Sequence, residues 1–302
     1  MAKIAVNLKR AQARPANEPG DVDTKLVAEG DGWTVEDIVC SRGPRDRRFE
    51  EQHGTFVIAI VTSGTFQYHS SGAGREVMMT PGSVLLGSPG QCFECGHEHG
   101  VGDRCLAFHF AADYFHALVE GRDIRRALRL FRAPKLSPVQ ALSPIVTDAC
   151  AALAGSRQVA WDELGIRLAA RAFQMVGESR VPLTAPSPAA IARITDSVRL
   201  IEAHQGLDLT LLSLAKEARL SPFHFLRTFE DVIGTTPHQY MRRIRLRAAA
   251  VRLSSSKMKI VDVAFASGFG DVSNFNRAFR AEFGVTPTTY RRHTQPSLDL
   301  GP

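Results

Sequence analysis

The chain has 302 residues, of which 44% are hydrophobic and 23% are charged, and its formal net charge is +6. This is the composition of a folded protein of about two domains, and it excludes an intrinsically disordered or fibrous chain. No apolar stretch approaches the ~20 residues of a membrane span, and residues 1–10 do not contain the apolar core of a secretory signal. Five cysteines are too few for a disulfide scaffold. We therefore expect a cytoplasmic protein without a membrane partner.

The excess positive charge lies in the C-terminal part of the chain. Residues 1–180 contain 21 Lys+Arg and 21 Asp+Glu, whereas residues 181–302 contain 16 and 10, which accounts for the whole net charge. Most of these C-terminal cations are arginines, whose planar guanidinium groups donate paired hydrogen bonds to phosphates and to guanine. The pattern indicates either a nucleic-acid partner or a mildly basic, solvated surface.

The first ~110 residues have the pattern of short β-strands. Phe56–Val61 is a continuous apolar run, and Ser83–Leu86 follows a Pro-Gly turn. Between Leu106 and Phe110 the large apolar residues occupy every second position. Turn-forming residues recur every ~8–12 positions, as in all-β sandwiches and barrels. We therefore predict an N-terminal β-sandwich or β-barrel.

Helical periodicity replaces the strand pattern from about Tyr114. The spacing predicts one helix from about Ile124 to Phe131 and two more over Val139–Ala154 and Trp161–Val176. Amphipathic helices after a barrel can pair with a second subunit or pack against their own barrel, and the sequence leaves both alternatives open.

A proline-rich segment separates this region from the basic one. Residues 181–188 contain three prolines and no periodicity, which predicts a stiff, extended linker. The expected organisation is a first domain over 1–180, the linker over 181–188, and a second, basic domain over 189–295.

The C-terminal region contains an internal repeat. Eight of the 18 positions from 225 to 242 are identical to the residue 50 positions later. The identical pairs are Phe225/Phe275, Arg227/Arg277, Phe229/Phe279, Gly234/Gly284, Thr236/Thr286, Pro237/Pro287, Tyr240/Tyr290 and Arg242/Arg292. Two copies are too few for a solenoid, so we interpret them as a duplicated module.

Each copy has the pattern of a helix-turn-helix motif. In the first copy a short apolar helix ends before the turn Arg219-Leu220. Ser221 is a suitable N-cap for the next helix, with Pro222 at the first helical position and Gly234 after the last. In the second copy, Asp271 takes the place of the N-cap.

The second helix of each module has a face that the apolar core does not use. Arginine, asparagine and serine on such a face match the donors and acceptors of the DNA major groove, and the alternative is simple surface solvation. The predicted DNA-binding residues are Phe223, His224, Leu226 and Arg227 in the first module, and Val272, Ser273, Asn276 and Arg277 in the second. The basic helix His238–Leu253 between the modules is long enough to hold two reading helices about one DNA turn apart.

These residues carry a resemblance to a known family. The segment Leu209–Arg292 resembles the DNA-binding domain of the AraC/XylS transcription regulators. The matching residues are Ala215, Ser221, Pro222, Phe225, Phe229, Gly234, Pro237 and Tyr240 in the first module, and Ile260, Val263, Ala264, Gly268, Phe269, Phe275, Arg277, Phe279, Phe283-Gly284-Val285-Thr286-Pro287, Tyr290 and Arg291 in the second. The chain departs from the family pattern at Phe223, Leu226 and Val272, where apolar side chains suited to thymine methyl groups replace polar readers.

The resemblance implies an α+β chain. Its cupin-like N-terminal barrel would carry a helical dimerisation segment, and its C-terminal domain would be all-α with a duplicated helix-turn-helix. The implied function is that of a sequence-specific transcription regulator, most often an activator that contacts RNA polymerase. The implied partners are double-stranded DNA, a small-molecule effector and a second copy of the chain as a homodimer.

A cluster of cysteines and histidines is the second candidate site. Cys92, Cys95, His97, His99 and Cys105 lie within 14 residues, and a hairpin turn at 100–103 would bring the two halves together. Thiolate and imidazole ligands suit Zn²⁺ or another soft metal. The cluster could instead be a thiol redox switch or an ordinary set of buried thiols. Cys40 and Cys150 are expected to lie outside the cluster and to take no part in metal binding.

An enzyme is the alternative class of function. A metal-dependent cupin enzyme fused to a DNA-binding tail would also combine a barrel with these modules. The sequence contains no GxGxxG, Walker or HExxH motif, and the cysteine content favours a closed structural or sensing site over an open catalytic one.

Overall fold

The computed structural model describes residues 20–71, 76–119, 129–175, 186–204 and 209–295. Its first domain is built on two antiparallel sheets with the strand orders β1-β2-β9-β4-β7-β10 and β3-β8-β5-β6. The strands are β1 (Val22–Gly30), β2 (Trp33–Cys40), β3 (Phe49–Gln52), β4 (Phe56–Gly64), β5 (Phe66–Ser70), β6 (Glu76–Met79), β7 (Val84–Gly87), β8 (Cys92–Gly96), β9 (Asp103–Phe110) and β10 (Lys135–Leu136). The prediction of a β-barrel at the N-terminus is confirmed, and its form is cupin-like.

The six-stranded sheet is buried on both faces. One face meets the smaller sheet, where Val57, Ala59 and Val61 of β4 pack. The other face is covered by helices, where Ile58 and Ile60 of the same strand pack. A strand that is buried on both faces does not alternate between apolar and polar residues. This explains why β4 contains a continuous apolar run.

Three helices cover the outer face of this sheet within the described residues. They are α1 (Ala112–Leu118), α2 (Ser143–Leu153) and α3 (Trp161–Gln174), with a short 3₁₀ turn at Gln140–Leu142 before α2. The two later helices were predicted with nearly these limits. Of the helix predicted around Ile124, residues 120–128 lie outside the described residues, and Phe131 lies in a turn.

The predicted hairpin between β8 and β9 is wrong. β8 pairs with β3 and β5, whereas β9 pairs with β2 and β4, so residues 97–102 connect the two sheets and do not turn within one. The alternation in β9 is as predicted. Leu106, Phe108 and Phe110 face the helices, and Cys105 and Ala107 face the interior of the barrel.

The second domain is entirely helical over the described residues. Its helices are α4 (Pro188–Ala203), α5 (Leu211–Glu217), α6 (Pro222–Ile233), α7 (Pro237–Ser255), α8 (Ile260–Ala266), α9 (Val272–Phe283) and α10 (Pro287–Thr294). The predicted linker lies mostly outside the described residues, but its last residue, Pro188, is already the first residue of α4. Along the described segments, no helix is both long and apolar enough to cross a lipid bilayer.

The sequence repeat corresponds to a structural repeat. α5 and α6 form the first helix-turn-helix module, α8 and α9 form the second, and α7 joins them. The side chains of Ser221 and Asp271 cap α6 and α9, because each accepts a hydrogen bond from a backbone N–H three residues on. Gly234 and Gly284 end these helices in the left-handed conformation, with φ of 85° and 78°. These predicted caps and stops are confirmed.

Helix α7 contributes to three apolar cores. Tyr240 and Met241 in its first half pack in the core of the first module. Leu246 and Leu253 pack in the core of the second module. Val251 packs in the core between the barrel and its helices. The two domains are therefore docked against each other.

Buried polar contacts join the two domains as well. The Lys135 ammonium donates to the carbonyl oxygens of Met78 in β6, at 2.9 Å, and Val232 in α6, at 3.1 Å. Arg243 of α7 donates to the carbonyl oxygen of Pro138 at 3.0 Å, and its Nε lies 3.6 Å from the Glu282 carboxylate. Contacts of this kind fix the orientation of the modules relative to the barrel.

The cations of α7 do not form one exposed basic stripe. Arg243 and Arg247 are only 8% and 9% exposed, because they lie against the first domain. Some arginines of α7 therefore contact the first domain. The prediction that α7 is only a basic spacer between the modules is corrected in this respect.

Candidate nucleic-acid interface and barrel cavity

The outward face of α6 begins immediately after its N-cap. Phe223 is 70% exposed, His224 and Arg227 are exposed, and Leu226 is half-buried. The opposite face is held by Phe225 and Phe229, which are fully buried in the first module. The helix is thus anchored on one side and presents the predicted residues on the other.

The outward face of α9 has the same layout. Ser273, Asn276 and Arg277 are exposed, and Val272 is half-buried. Phe275 and Phe279 are fully buried, and the ring of Phe279 meets that of Tyr290 at 5.4 Å, as the ring of Phe229 meets that of Tyr240 at 5.7 Å. The two modules hold their second helices with equivalent aromatic cores.

Arg227 and Arg277 occupy equivalent positions in the two modules. Neither guanidinium forms an ion pair or a side-chain hydrogen bond with another part of the chain that the structure describes. Exposed arginines of this kind are free to donate to phosphate oxygens or to the acceptor edge of guanine. Two such arginines, carried by two anchored helices, form the candidate nucleic-acid interface.

A cavity of about 290 Å³ lies between the two sheets of the barrel. Its middle is apolar and is lined by side chains such as Ala59, Leu85 and Ala107, which lie next to one another on paired strands. Polar side chains lie towards both ends of β9, whose residues Asp103 and His109 are roughly 20 Å apart at the usual strand rise. The cavity therefore suits a small molecule with an apolar body.

One end of the cavity contains a thiol, an imidazole and a carboxylate close together. One potential ligand atom each of Cys40, His97 and Asp103 lies within 4.8 Å of the others, and all three residues are buried. His97 Nε2 and Asp103 Oδ1 are 2.6 Å apart, and the Cys105 thiol donates to Asp103 Oδ2 at 3.3 Å. Burial lowers the pKa of His97, but its hydrogen bonds to Asp103 and Cys40 outweigh this and raise the pKa to about 10.

The other end of the cavity carries two more histidines. His53 Nε2 lies 2.9 Å from the Tyr68 hydroxyl, and its ring stacks on Phe93 at 4.2 Å. Burial lowers the pKa of His53 to about 4, so this ring is neutral near pH 7. His109 lies 3.2 Å from the Glu36 carboxylate. A neutral imidazole at this end can donate or accept a hydrogen bond.

The structure brings only part of the predicted cysteine and histidine cluster together. Cys95, His97 and Cys105 line the cavity. Cys92 is exposed on β8, and His99 is half-buried beside Glu98 and outside the cavity lining, so the structure does not bring these two together with the other three.

Cys40 is the residue that sequence reasoning placed wrongly. It was expected to lie outside the cluster, but β2 pairs with β9 so that Cys40 is directly opposite Asp103. Nothing in the local sequence near Cys40 indicates this pairing, because it depends on the register of two strands about 60 residues apart. Burial raises the pKa of the Cys95 and Cys105 thiols, which keeps both protonated near pH 7 and disfavours an activated redox thiol at either position.

The fold and its two candidate sites define a two-domain protein with a barrel cavity and a duplicated helix-turn-helix. Comparison with known protein families agrees with this description. Residues 37–169 match the profile of the AraC-like ligand binding domain, and residues 214–293 match a helix-turn-helix domain profile.

Individual relatives match the C-terminal part. The chain is 35% identical over 115 residues to the transcriptional regulator Rob of Salmonella typhimurium, which is 36% of this chain and 40% of Rob. It is 36% identical over 100 residues to the transposon Tn10 TetD protein of Escherichia coli, which is 33% of this chain and 72% of TetD. Among solved structures, the DNA-binding domain of AdpA in complex with a target DNA is 26% identical, with a TM-score of 0.33, over 33% of this chain and 91% of that one.

The chain thus spans less than half the length of Rob, and it spans most of TetD. With the ligand-binding region and the helix-turn-helix region both matched, the chain belongs to the AraC/XylS family of transcription regulators.

Proposed function

We propose that this chain is a sequence-specific DNA-binding transcription regulator that responds to a small molecule bound in its barrel. The observation that carries the proposal is the duplicated module: two anchored helices present exposed arginines at equivalent positions, Arg227 and Arg277, and neither is paired with any described residue. Recognition of two successive segments of the major groove requires such a repeated outward guanidinium.

The proposed contacts follow from the side chains on the two outward faces. Helices α6 and α9 would enter successive segments of the major groove, where arginine reads guanine and asparagine reads adenine. Phe223, Leu226 and Val272 would contact thymine methyl groups, and His224 and Ser273 would contact base edges or phosphates. Helix α7, with 19 residues and a length of roughly 28 Å, would set the spacing of the two segments.

The proposed effector site is the cavity between the two sheets. Its apolar middle suits the body of a small organic molecule, and its polar ends would fix the orientation of that molecule. The docked domain interface gives a route to regulation, because β6 and the turn before β7 meet the second domain: Met78 packs in the core of the first module, and Gly82 lies against Arg247. An effector that binds better to one arrangement of the domains would shift the population towards that arrangement.

The remaining partners belong to the same proposal. We infer a homodimer that pairs through the exposed face of α3, where Ile166 is 41% exposed, while Leu164 and Leu168 of the same helix pack on the barrel. Contact with RNA polymerase, an activating effect and a cytoplasmic location complete the proposal. The domain limits proposed are 1–180 and 189–295, joined by residues 181–188.

An enzyme is not proposed. The described cavity contains histidines, cysteines and carboxylates, but the relatives reported above that carry a functional name are regulators or DNA-binding proteins. The cavity is therefore assigned to an effector, and no reaction is assigned to the chain.

Selection of DNA from a random pool by the full-length chain tests this proposal. We expect enrichment of a site with two conserved segments about one helical turn apart. Arg227→Ala should weaken the base preference in the first segment only, and Arg277→Ala should weaken it in the second segment only. Failure of the folded wild-type chain to enrich any sequence would contradict the proposal.

A further inference from the structure

The end of the barrel cavity at Cys40 has the features of a metal site. Its three potential ligands come from different parts of the fold: Cys40 from the end of β2, His97 from the residues after β8, and Asp103 from the start of β9. Their ligand atoms lie within 4.8 Å of one another, and every one of the three residues is at most 4–5% exposed. Pairing of β2 with β9 places the sulfur of Cys40 opposite Asp103, and the connection after β8 brings the imidazole of His97 to the same place.

The identity of the three ligands restricts the metal. Ca²⁺ and Mg²⁺ prefer oxygen ligands alone, whereas Zn²⁺ accepts thiolate, imidazole and carboxylate together. Charge also agrees: a bound metal displaces the proton of His97, and one thiolate, one carboxylate and one neutral imidazole then offset the charge of a divalent cation. A neutral complex avoids the large cost of a net charge in the low dielectric of a buried cavity.

We propose that Cys40, His97 and Asp103 together bind one Zn²⁺ ion per chain at this end of the cavity. Because all three ligands line the cavity, a fourth coordination position is left for a water molecule or for an electron-pair donor of a molecule bound there. The ion replaces the 2.6 Å hydrogen bond between His97 and Asp103, since both groups then bind the metal instead of each other.

Cys105 has a supporting role in this site. Its thiol donates to the second oxygen of the Asp103 carboxylate at 3.3 Å, which orients the first oxygen. Outer-shell partners of this kind typically change metal affinity by ~10–100-fold. Cys105 is therefore assigned as a positioning residue and not as a ligand. The inference concerns metal binding alone and does not depend on DNA recognition.

The test uses the full-length chain, purified in the reduced state and stripped of metal. Zn²⁺ is titrated against a chromophoric chelator, and Co²⁺ serves as a spectroscopic probe, because a bound thiolate produces a charge-transfer band in the near ultraviolet. We expect one equivalent of either metal and a thiolate band. Cys40→Ser should abolish the band and weaken Zn²⁺ binding by more than about 100-fold, which exceeds the effect of an outer-shell partner.

Three cysteine variants serve as matched controls. Cys95→Ser removes a thiol that lines the same cavity, and Cys92→Ser removes an exposed one. Both should retain the metal and the thiolate band, whereas Cys105→Ser should retain the band with weaker binding. Asp103→Asn keeps the shape of the ligand and removes its charge, so it should bind Zn²⁺ less tightly in a chain whose circular dichroism is unchanged.

Two results would overturn the proposal. One is that the folded, reduced wild-type chain binds neither metal, in which case His97 and Asp103 form only a buried ion pair. The other is that Cys92→Ser or Cys95→Ser removes the band while Cys40→Ser keeps it. DNA selection by the metal-free chain separates either result from a failure of the proposed regulator function.

Discussion

Arg219 and Gly268 occupy equivalent positions in the turns of the two helix-turn-helix modules, and both have a positive φ, of 54° and 79°. Among the described residues Arg219 is the one non-glycine with a positive φ, a conformation that brings its Cβ close to the following carbonyl. The left-handed conformation costs a non-glycine residue about 1 kcal/mol. The turn therefore requires this conformation in both copies, and only the second has the residue best suited to it.

The first prediction follows from this difference between the modules. Arg219→Gly should raise the free energy of unfolding by about 0.5–1 kcal/mol, because relief of strain outweighs the greater entropy of glycine in the unfolded chain. Chemical denaturation of the full-length chain measures the change. Arg219→Ala removes the same charge and keeps the strain, so it should not stabilise the protein. Equal stabilisation by both variants would show that charge and not backbone conformation is responsible.

The second prediction concerns Arg277, the proposed reading residue of the second module. Arg277→Ala should weaken binding to the selected DNA site by ~1–3 kcal/mol and relax the preference at one base pair, because a guanidinium paired with guanine is lost. Gel-shift titrations on the selected site and on single-base variants measure both effects.

A matched control for Arg277 is available on the first domain. Arg47→Ala removes one exposed guanidinium from the segment between β2 and β3, far along the chain from α6 and α9, and should leave DNA affinity almost unchanged. Uniform weakening of all sequences by Arg277→Ala would assign the residue to a phosphate, and unchanged affinity would exclude it from the interface.

The third prediction concerns the cap of the last helix. The Thr286 hydroxyl accepts a hydrogen bond from the Thr289 backbone N–H at 3.2 Å at the start of α10. Thr286→Ala should lower the free energy of unfolding by about 1 kcal/mol, because this N–H loses its partner. Thr288→Ala, an exposed change within the same helix, is the control and should have little effect. An unmoved denaturation midpoint for Thr286→Ala would contradict the capping assignment.

The fourth prediction concerns pH and the domain interface. Glu202 of α4 accepts a hydrogen bond from the Gly64 backbone N–H at 3.4 Å. Burial raises the pKa of Glu202 from 4.5 to about 7, although the Gly64 N–H, Arg247 and Arg199 act in the opposite direction. The folded chain therefore keeps this proton where the unfolded chain has lost it, so stability present below about pH 4.5 is lost as the pH rises through about 7.

Glu202→Gln isolates this contribution. The variant should gain stability relative to the wild type as the pH rises from 5 to 8, because it has no carboxyl group to ionise. Denaturation curves across this range measure the difference. Glu217→Gln changes an exposed carboxyl on α5 and should show no comparable gain. If the difference in unfolding free energy between the wild type and Glu202→Gln does not change with pH, ionisation of Glu202 does not contribute to the pH dependence of stability.

The local features of the fold could be predicted from the sequence, but the pairing of distant strands could not. Ser221, Asp271 and Gly234 stand at helix ends because cap and stop chemistry depends on a few neighbouring residues. The hairpin expected between β8 and β9 failed because a Gly-rich connection is compatible with a turn within one sheet or a crossing between two.

The same distinction between local and long-range features holds for the candidate sites. The outward faces of α6 and α9 follow from helical periodicity, so the exposure of Arg227 and Arg277 could be predicted from the sequence alone. Cys40 could not, because its place opposite Asp103 depends on long-range register. The burial of Arg243 could not be predicted from the sequence either. Its partner across the domain interface is Pro138, which is 105 residues away along the chain.

The cores of the two domains are incomplete without each other. Met78 of the barrel is part of the core of the first module, and Val251 of α7 is part of the core beneath the barrel helices. Separate domains usually melt separately, each with its own heat-absorption peak. Here the loss of either domain removes a packed side chain from the other, so calorimetry of the full-length chain should record one cooperative transition whose calorimetric and van't Hoff enthalpies agree.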